Sequence, residues 1–294
     1  MEQELLNKIR YLLNKKKSIE YICNNLNLTN NELYNLVAIL KNNGIDININ
    51  INEETLPIIE EPYIIDNNNE HIKLLLMGDT HLCNKCDRLD IIRYLYLKAE
   101  DNNIDLILHS GDFTDGYPLI EGYDKILKEN TFNGQKEYVM SEYPMYSNKT
   151  LVISGNHDEY WYMKSGKDIL EYISKERNDI VYLGNNKRDI KLGNIDIKLM
   201  HGNPNKYVGN KFKPIKYIKS LDKKPNILHT GHLHCSYNDK IDKTYYFRNS
   251  ALMNKTPYTI SRGYNNEKSV YWLDLYLDDD GILEKVKYKK EIFH

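Results

Sequence analysis

Ile72-Lys73-Leu74-Leu75-Leu76-Met77-Gly78-Asp79-Thr80-His81 is an apolar run that ends on a glycine and then on two side chains able to bind a metal ion. An apolar run this short predicts a β-strand. The same device recurs down the chain. Residues 104–109 lead into Gly111-Asp112-Phe113-Thr114-Asp115, and residues 150–154 into Gly155-Asn156-His157-Asp158. Residues 195–200 lead into His201-Gly202, and residues 227–230 into Gly231-His232-Leu233-His234. In an open α/β sheet the loops leaving the carboxyl ends of the strands converge, so these blocks are expected to meet in one cleft. A glycine beside each ligand is expected to let the backbone turn sharply. Carboxylates, one amide and several imidazoles suit two divalent cations better than one structural zinc.

Between these strands lie helix-like segments at 89–100, 167–177 and 213–221, and residues 189–192 and 195–200 read as a hairpin around Gly193-Asn194. Strand-helix alternation predicts an α/β layered architecture. The last strands, at 245–247, 270–277 and 286–290, look antiparallel, so a β-sandwich flanked by helices over residues 71–294 reconciles the pattern. Residues 53–70, with Pro57, Pro62 and Asn67-Asn68-Asn69, read as a linker.

Residues 1–52 read as a separate module. Leu5, Leu6, Ile9, Leu12 and Leu13 recur at helical spacing, and Ile19, Ile22, Cys23 and Leu26 mark a second helix. Thr29 and Glu32 form a capping box for a third, with Leu33, Leu36, Val37 and Leu40 as its apolar stripe. Ile45, Ile47, Ile49 and Ile51 alternate with polar residues as a β-wing would. Three helices and a wing resemble a winged helix-turn-helix domain, whose third helix would offer Asn30, Asn31, Tyr34, Asn35 and Lys41 to DNA. Residues 1–47 carry six Lys or Arg against five Asp or Glu, a thin electrostatic footprint for DNA, and a packing or dimerisation module is the competing reading.

The chain has 294 residues, 41% hydrophobic and 28% charged, with a net charge of −2, which is the composition of a globular protein without a global basic field. Cys23, Cys83, Cys86 and Cys235 form no disulfide framework, and no signal peptide stands before Met1-Glu2-Gln3-Glu4, so a reduced cytoplasm is expected. No apolar stretch approaches the roughly 20 residues that span a bilayer, so no membrane partner is expected.

The ordered pattern D-x-H, G-D-x-x-D, G-N-H-D, H, G-H-x-H, over about residues 71–240, resembles the signature of the calcineurin-like metallophosphoesterases. Within that family it looks most similar to phage and bacterial DNA-repair-exonuclease-like members, some with an N-terminal helix-turn-helix. The resemblance implies that Asp79, His81, Asp112 and His234 hold one cation and that Asp112, Asn156, His201 and His232 hold a second, with Asp112 bridging. Manganese is favoured, with iron, zinc, nickel or magnesium as alternatives. It also implies attack on phosphorus by a hydroxide bridging the metals, with His157 donating a proton or stabilising charge and Asp115 orienting His157. Asp158 is the alternative to Asp115 for that orienting role, or else simply caps the following helix.

The expected function is therefore a two-metal phosphodiesterase or nuclease acting on DNA. The alternatives are a phosphatase or cyclic-nucleotide phosphodiesterase on small molecules, and a DNA-binding regulator whose phosphoesterase domain binds a ligand. Gly116-Tyr117 follows Asp115 where protein Ser/Thr phosphatases of the superfamily carry Arg-Gly, which argues against that class. His71, His109, His229 and His294 are read as structural, Cys235 as a packing residue, and Cys83-x-x-Cys86 as incidental because no second pair completes a zinc site. Arg248 and Arg262 stand between substrate-phosphate contacts and plain surface charge. Oligomerisation, if any, is assigned to the N-terminal module.

Overall fold

The computed structural model describes residues 2–14, 19–26, 28, 32–33, 36–37, 40, 61–119, 122–202, 214–261, 263 and 267–294. The chain divides into two compact units, Met1–Ile59 and Glu60–His294. In the first, helices α1 (Glu2–Asn14) and α2 (Ile19–Leu26) stand where the apolar spacing predicts them. Leu6, Ile9 and Leu13 are buried with Ile22, Cys23, Leu33, Val37 and Leu40 in one small core. The Thr29 cap, the face at Asn30, Asn31, Tyr34, Asn35 and Lys41, and the wing at 45–51 lie outside the described residues.

The second unit holds two six-stranded mixed sheets. In one, β2 (His71–Met77), β3 (Leu106–His109), β4 (Lys149–Ser154) and β5 (Ile180–Asn185) run parallel. Strand β11 (Lys268–Leu277) pairs antiparallel with β2, and β12 (Leu283–Phe293) with β11. The other sheet has the order β1-β6-β7-β8-β10-β9, built from β1 (Tyr63–Ile65), β6 (Lys187–Leu192), β7 (Ile195–Met200), β8 (Ile227–Thr230), β9 (Tyr237–Ile241) and β10 (Thr244–Arg248).

Why β2 to β4 read as continuous apolar runs is visible in the packing, since both of their faces are covered. Leu74, Leu76, Leu108, Leu151 and Ile153 meet Ile190, Ile197, Leu199, Ile227 and Phe247 of the other sheet. On the opposite face Leu75, Met77, Ile107 and Val152 meet Ile92, Leu95 and Tyr96 of α3 (Leu89–Asp101), Val139 of α4 (Phe132–Glu142), Trp161 of α5 (Asn156–Ser165) and Ile169, Leu170 and Ile173 of α6 (Ile169–Glu176). The outer face of the second sheet packs Met200, Leu228 and Tyr246 on Ile218 of α7 (Pro214–Lys219). The result is the sandwich of two sheets flanked by helices that strand-helix alternation predicts. None of the described helices is long and apolar enough to cross a membrane.

Three differences have physical reasons. Tyr63–Ile65, inside the stretch read as a linker, pairs parallel with β6, and Tyr63 and Ile65 pack on the inter-sheet core. Strand β9 escapes notice because only Ile241 of its five residues is buried, as suits an edge strand. Strand β10 runs parallel to β8, although its neighbour β9 is antiparallel to it, so the C-terminal strands are not all antiparallel.

Below the first sheet, Arg177 and Asp179 form a buried bidentate pair, Nε to Oδ1 at 2.9 Å and Nη2 to Oδ2 at 2.6 Å. Arg177 also donates to the carbonyls of Tyr143 and Pro144, so the pair ties the α6–β5 turn to the end of α4. Replacing Asp179→Ala leaves a buried guanidinium without its counter-charge and is expected to cost about 3–5 kcal/mol, read as a drop in the urea midpoint of unfolding.

Candidate metal centre

Every ligand-bearing block leaves the carboxyl end of a strand. Asp79 and His81 follow β2, Asp112 and Asp115 follow β3, His201 follows β7, and His232 and His234 follow β8. Asn156, His157 and Asp158 form the first turn of α5, immediately after β4. Asp79, His81, Asp112 and His201 are buried, whereas Asn156, His157, His232 and His234 are partly exposed, so the former make the floor and the latter the mouth.

One donor atom each from Asp79, His81, Asp112 and His234 lie within 4.8 Å of one another, and so do donors from Asp112, His201 and His232. Asn156 joins the second group, its Oδ1 standing 3.1 Å from His201 Nε2 and 2.9 Å from His232 Nδ1. Asp112 is common to both groups.

The imidazole orientations test whether a cation fits. His81 Nδ1 lies 2.8 Å from Asp115 Oδ1, and His201 Nδ1 lies 2.9 Å from the Ser110 carbonyl oxygen. Both partners only accept, so each Nδ1 carries a proton and each ring turns Nε2 inward, the atom whose lone pair a cation would take in place of a proton. Those inward nitrogens sit 3.0 Å from His234 Nε2 and 3.2 Å from His232 Nδ1. Ring nitrogens and carboxylate oxygens converging at such distances form a donor set that fits divalent cations.

Electrostatics agree with that arrangement. Burial disfavours the Asp112 anion, but His201 and His157 outweigh it and hold the carboxyl well below the ordinary carboxylate range. Burial also opposes charge on His157, and there Asp112 and Asp115 prevail, raising it well above the usual imidazole value. His232, by contrast, is pushed down to about 4, first by burial and then by His201, which keeps its ring neutral.

The backbone corrects the expected role of the glycines. Of Gly78, Gly111, Gly155 and Gly231, only Gly111 has a positive φ, at 94°. The sharp turns are made by ligand residues themselves: Asp79 (φ 48°), His81 (44°), Asp112 (49°), His232 (72°) and His234 (51°). Asp and His are among the side chains that tolerate this region best. The glycines supply space instead. A Cβ on Gly78 would stand 2.2 Å from Ser110 Oγ, on Gly155 2.2 Å from Asp112 Oδ1, and on Gly231 2.6 Å from Asp79 Oδ2.

Asp115 lies against two rings: its Oδ1 is 2.8 Å from His81 Nδ1 and 3.3 Å from His157 Nδ1. The nearest acceptor to His157 Nδ1 is the Asp115 carbonyl oxygen, at 2.9 Å. Asp158 meets neither ring. Its carboxylate accepts from the amides of Gly155, Phe113 and Thr114 and from the Thr114 hydroxyl, so it caps α5 and clasps the Asp112 loop to it.

Sequence reading passed over four side chains here. Asn84 Nδ2 donates to Asp115 Oδ2 at 2.7 Å, Tyr160 Oη accepts from Asn156 Nδ2 at 3.0 Å, and Ser110 and Asn249 lie behind Asp79. Asn249 had a signal, since it follows β10 as the ligands follow their strands. Of the residues set aside, His71 pairs with Asp274 and stacks on Tyr276, and His109 and His229 are buried with pKa values lowered by burial to about 3 and about 4. The thiols of Cys83 and Cys86 face the carbonyls of Glu129 and Lys255, and among the described residues no cysteine joins a metal-binding group. Arg248 donates Nε to the Cys235 carbonyl, one residue beyond His234, while Arg262 lies outside the described residues.

The family model for calcineurin-like phosphoesterases matches residues 72–275. No curated protein matches the chain. Among solved structures, an archaeal phosphodiesterase is 13% identical, with a TM-score of 0.44, covering 76% of this chain and 100% of its own. Vps29 from Entamoeba histolytica complexed with zinc is 18% identical, with a TM-score of 0.40 and the same coverages. A predicted phosphoesterase from Streptococcus pneumoniae TIGR4 is 14% identical, with a TM-score of 0.40, covering 77% of this chain and 100% of its own.

Gly155→Ala would bring a methyl carbon against the Asp112 amide at 2.4 Å as well as against its carboxylate. Backbone cannot yield as a side-chain tip can, so the variant is expected to lose about 1–3 kcal/mol of stability and to bind Mn²⁺ more weakly, read by thermal melts and by calorimetric titration.

Proposed function

Because this chain belongs to the calcineurin-like phosphoesterase family, and so is a metal-dependent phosphoester hydrolase, we propose that it is a two-metal phosphodiesterase acting as a nuclease on DNA. One observation carries the two-metal reading: the single Asp112 carboxylate belongs to both donor groups. Asp79, His81, Asp112 and His234 hold the first cation, and Asp112, Asn156, His201 and His232 the second. Manganese is the cation we favour. Bound there, divalent cations polarise phosphoryl oxygens and make water a nucleophile near neutral pH.

The chain's own residues do the rest. His157 is gripped at Nδ1 by the Asp115 carbonyl and carboxylate, which leaves Nε2 to deliver a proton to the departing oxygen. Its ring stands edge-on to His81, with centroids 4.6 Å apart, so that proton is held beside the first donor group. Asp115 orients both rings, and Asn84 holds the other oxygen of Asp115. Tyr160 accepts from the Asn156 amide nitrogen, and this turns the amide oxygen toward His201 and His232.

Protein-phosphatase chemistry of the Arg-Gly type is disfavoured by Gly116. Its φ is 71°, and a Cβ there would stand 1.8 Å from the His157 carbonyl oxygen, so no side chain fits at that place. Support for DNA as substrate comes from the N-terminal module, residues 1–52, whose described part holds helices α1 and α2 and which we assign as winged helix-turn-helix-like and as the element that selects DNA or mediates self-association. We place the enzyme in the cytoplasm.

The test is hydrolysis of bis-p-nitrophenyl phosphate and p-nitrophenyl phosphate by metal-stripped protein reconstituted with Mn²⁺. Diester turnover is expected to exceed monoester turnover. His157→Ala should lower kcat by about 10²–10⁴-fold, and Asp112→Ala should abolish turnover. Monoester preference would replace the diesterase with a phosphatase, and Mn²⁺ binding without turnover of either ester would favour a ligand-binding regulator. Single-stranded and duplex DNA are the next substrates.

A further inference from the structure

Strand β10 carries no metal-donor block, yet it ends on a fully buried amide, Asn249, that reaches the centre from behind. Asn249 Nδ2 donates to Asp79 Oδ2 at 2.9 Å and to the Ser250 carbonyl at 3.1 Å. On its other side Oδ1 accepts from Ser110 Oγ at 2.7 Å and faces His229 Nε2 at 2.8 Å.

These contacts leave the amide one orientation. His229 is fully buried, and its Nδ1 has no partner among the described residues. A neutral ring places its one proton where an acceptor waits, so His229 donates through Nε2 to Asn249 Oδ1. Flipping the amide would set its NH₂ group against that donor and its oxygen against a carboxylate. Ser110 and His229 thus hold Asn249, and Asn249 holds Asp79.

The consequence lies in the rotation of the Asp79 carboxylate. Oδ2 accepts from Asn249 and, at 3.1 Å, from the His232 amide, while Oδ1 accepts from that amide at 2.8 Å and faces His234 Nε2 at 3.6 Å. Gly231 presses on the Oδ2 side, and the Gly78 backbone packs against the Asn249 amide, where a Cβ would stand 3.1 Å from both of its polar atoms. We propose that Asn249, locked by Ser110 and His229, is a positioning residue that fixes the Asp79 carboxylate so that one oxygen is presented to the first cation. The proposal rests on the two-metal reading above, and it predicts an effect confined to one of the two sites, because Asp79 belongs to the first donor group and not to the second.

The experiment is calorimetric titration of the metal-stripped full chain with Mn²⁺, with urea unfolding of the same metal-free proteins alongside. Wild type is expected to take up two equivalents. Asn249→Ala should weaken one site about 10–100-fold and leave the other at wild-type affinity. Asn249→Asp keeps the shape but turns the donor into a second anion facing Asp79, and it should weaken the same site at least as much. Ser110→Ala leaves the Asn249–Asp79 contact in place and removes one of its anchors, so a smaller loss at the same site is expected. If Asn249→Ala fails to fold, Asn249→Asp and Ser110→Ala decide by the same criterion.

Unchanged affinity at both sites in folded variants overturns the proposal, and so does equal weakening of both sites, which marks a general structural role. Wild-type protein that binds no Mn²⁺ overturns the two-metal reading and this proposal with it. Two wild-type sites with no change in the variants overturns this proposal alone.

Discussion

A single buried carboxylate, that of Asp112, is the constraint around which the centre is built. It is 1% exposed and lies in both donor groups, so its position determines where two sets of ligands can meet. A buried anion is costly unless donors or cations surround it. Here the His157 amide donates to Oδ1 at 2.9 Å and His201 Nε2 stands 3.1 Å from Oδ2. Gly155 must lack a side chain because Asp112 occupies the space it would need.

Holding the ligands in place costs backbone strain. Five ligand residues sit in the left-handed region, at about 1–3 kcal/mol each for a non-glycine residue. Such conformations persist only where the surroundings over-determine them. Strands β2, β3 and β4 are covered on both faces, so their ends cannot shift to relax the turns that follow. Asp158 adds three hydrogen bonds between the Asp112 loop and the start of α5, which couples the third ligand block to the second. Rigidity at the strand ends is thus what converts an unfavourable turn into a preformed cluster of donors.

Legibility in the sequence followed the range of the interaction. Strands β2, β3, β4 and β8 were readable because burial on two faces leaves a continuous apolar run, and α3 was readable because one buried face leaves a helical period. Strands β1 and β9 were not, since three residues at an edge and five with one buried side chain leave no periodic trace. Helix α5 left only the Asp158 cap as a trace, because its first turn is the Asn156-His157-Asp158 block, which reads as a ligand loop. The glycines were misread for a similar reason: a sequence displays a glycine's freedom of φ, whereas only the fold displays which atom would occupy the place of a Cβ.

By itself, the sequence determined the kinds of donor, their order and their attachment to strand ends, because each block is local and its apolar strand adjoins it. Tertiary structure alone decided how those donors are shared and held. That Asp115 touches two rings, that Asp158 clasps a loop instead of orienting His157, and that Asn249 sits behind Asp79 are contacts between distant parts of the chain, 170 residues apart in the last case. Such contacts have no period and no neighbouring signature. They exist only once two sheets have packed and brought the ends of five strands to one place.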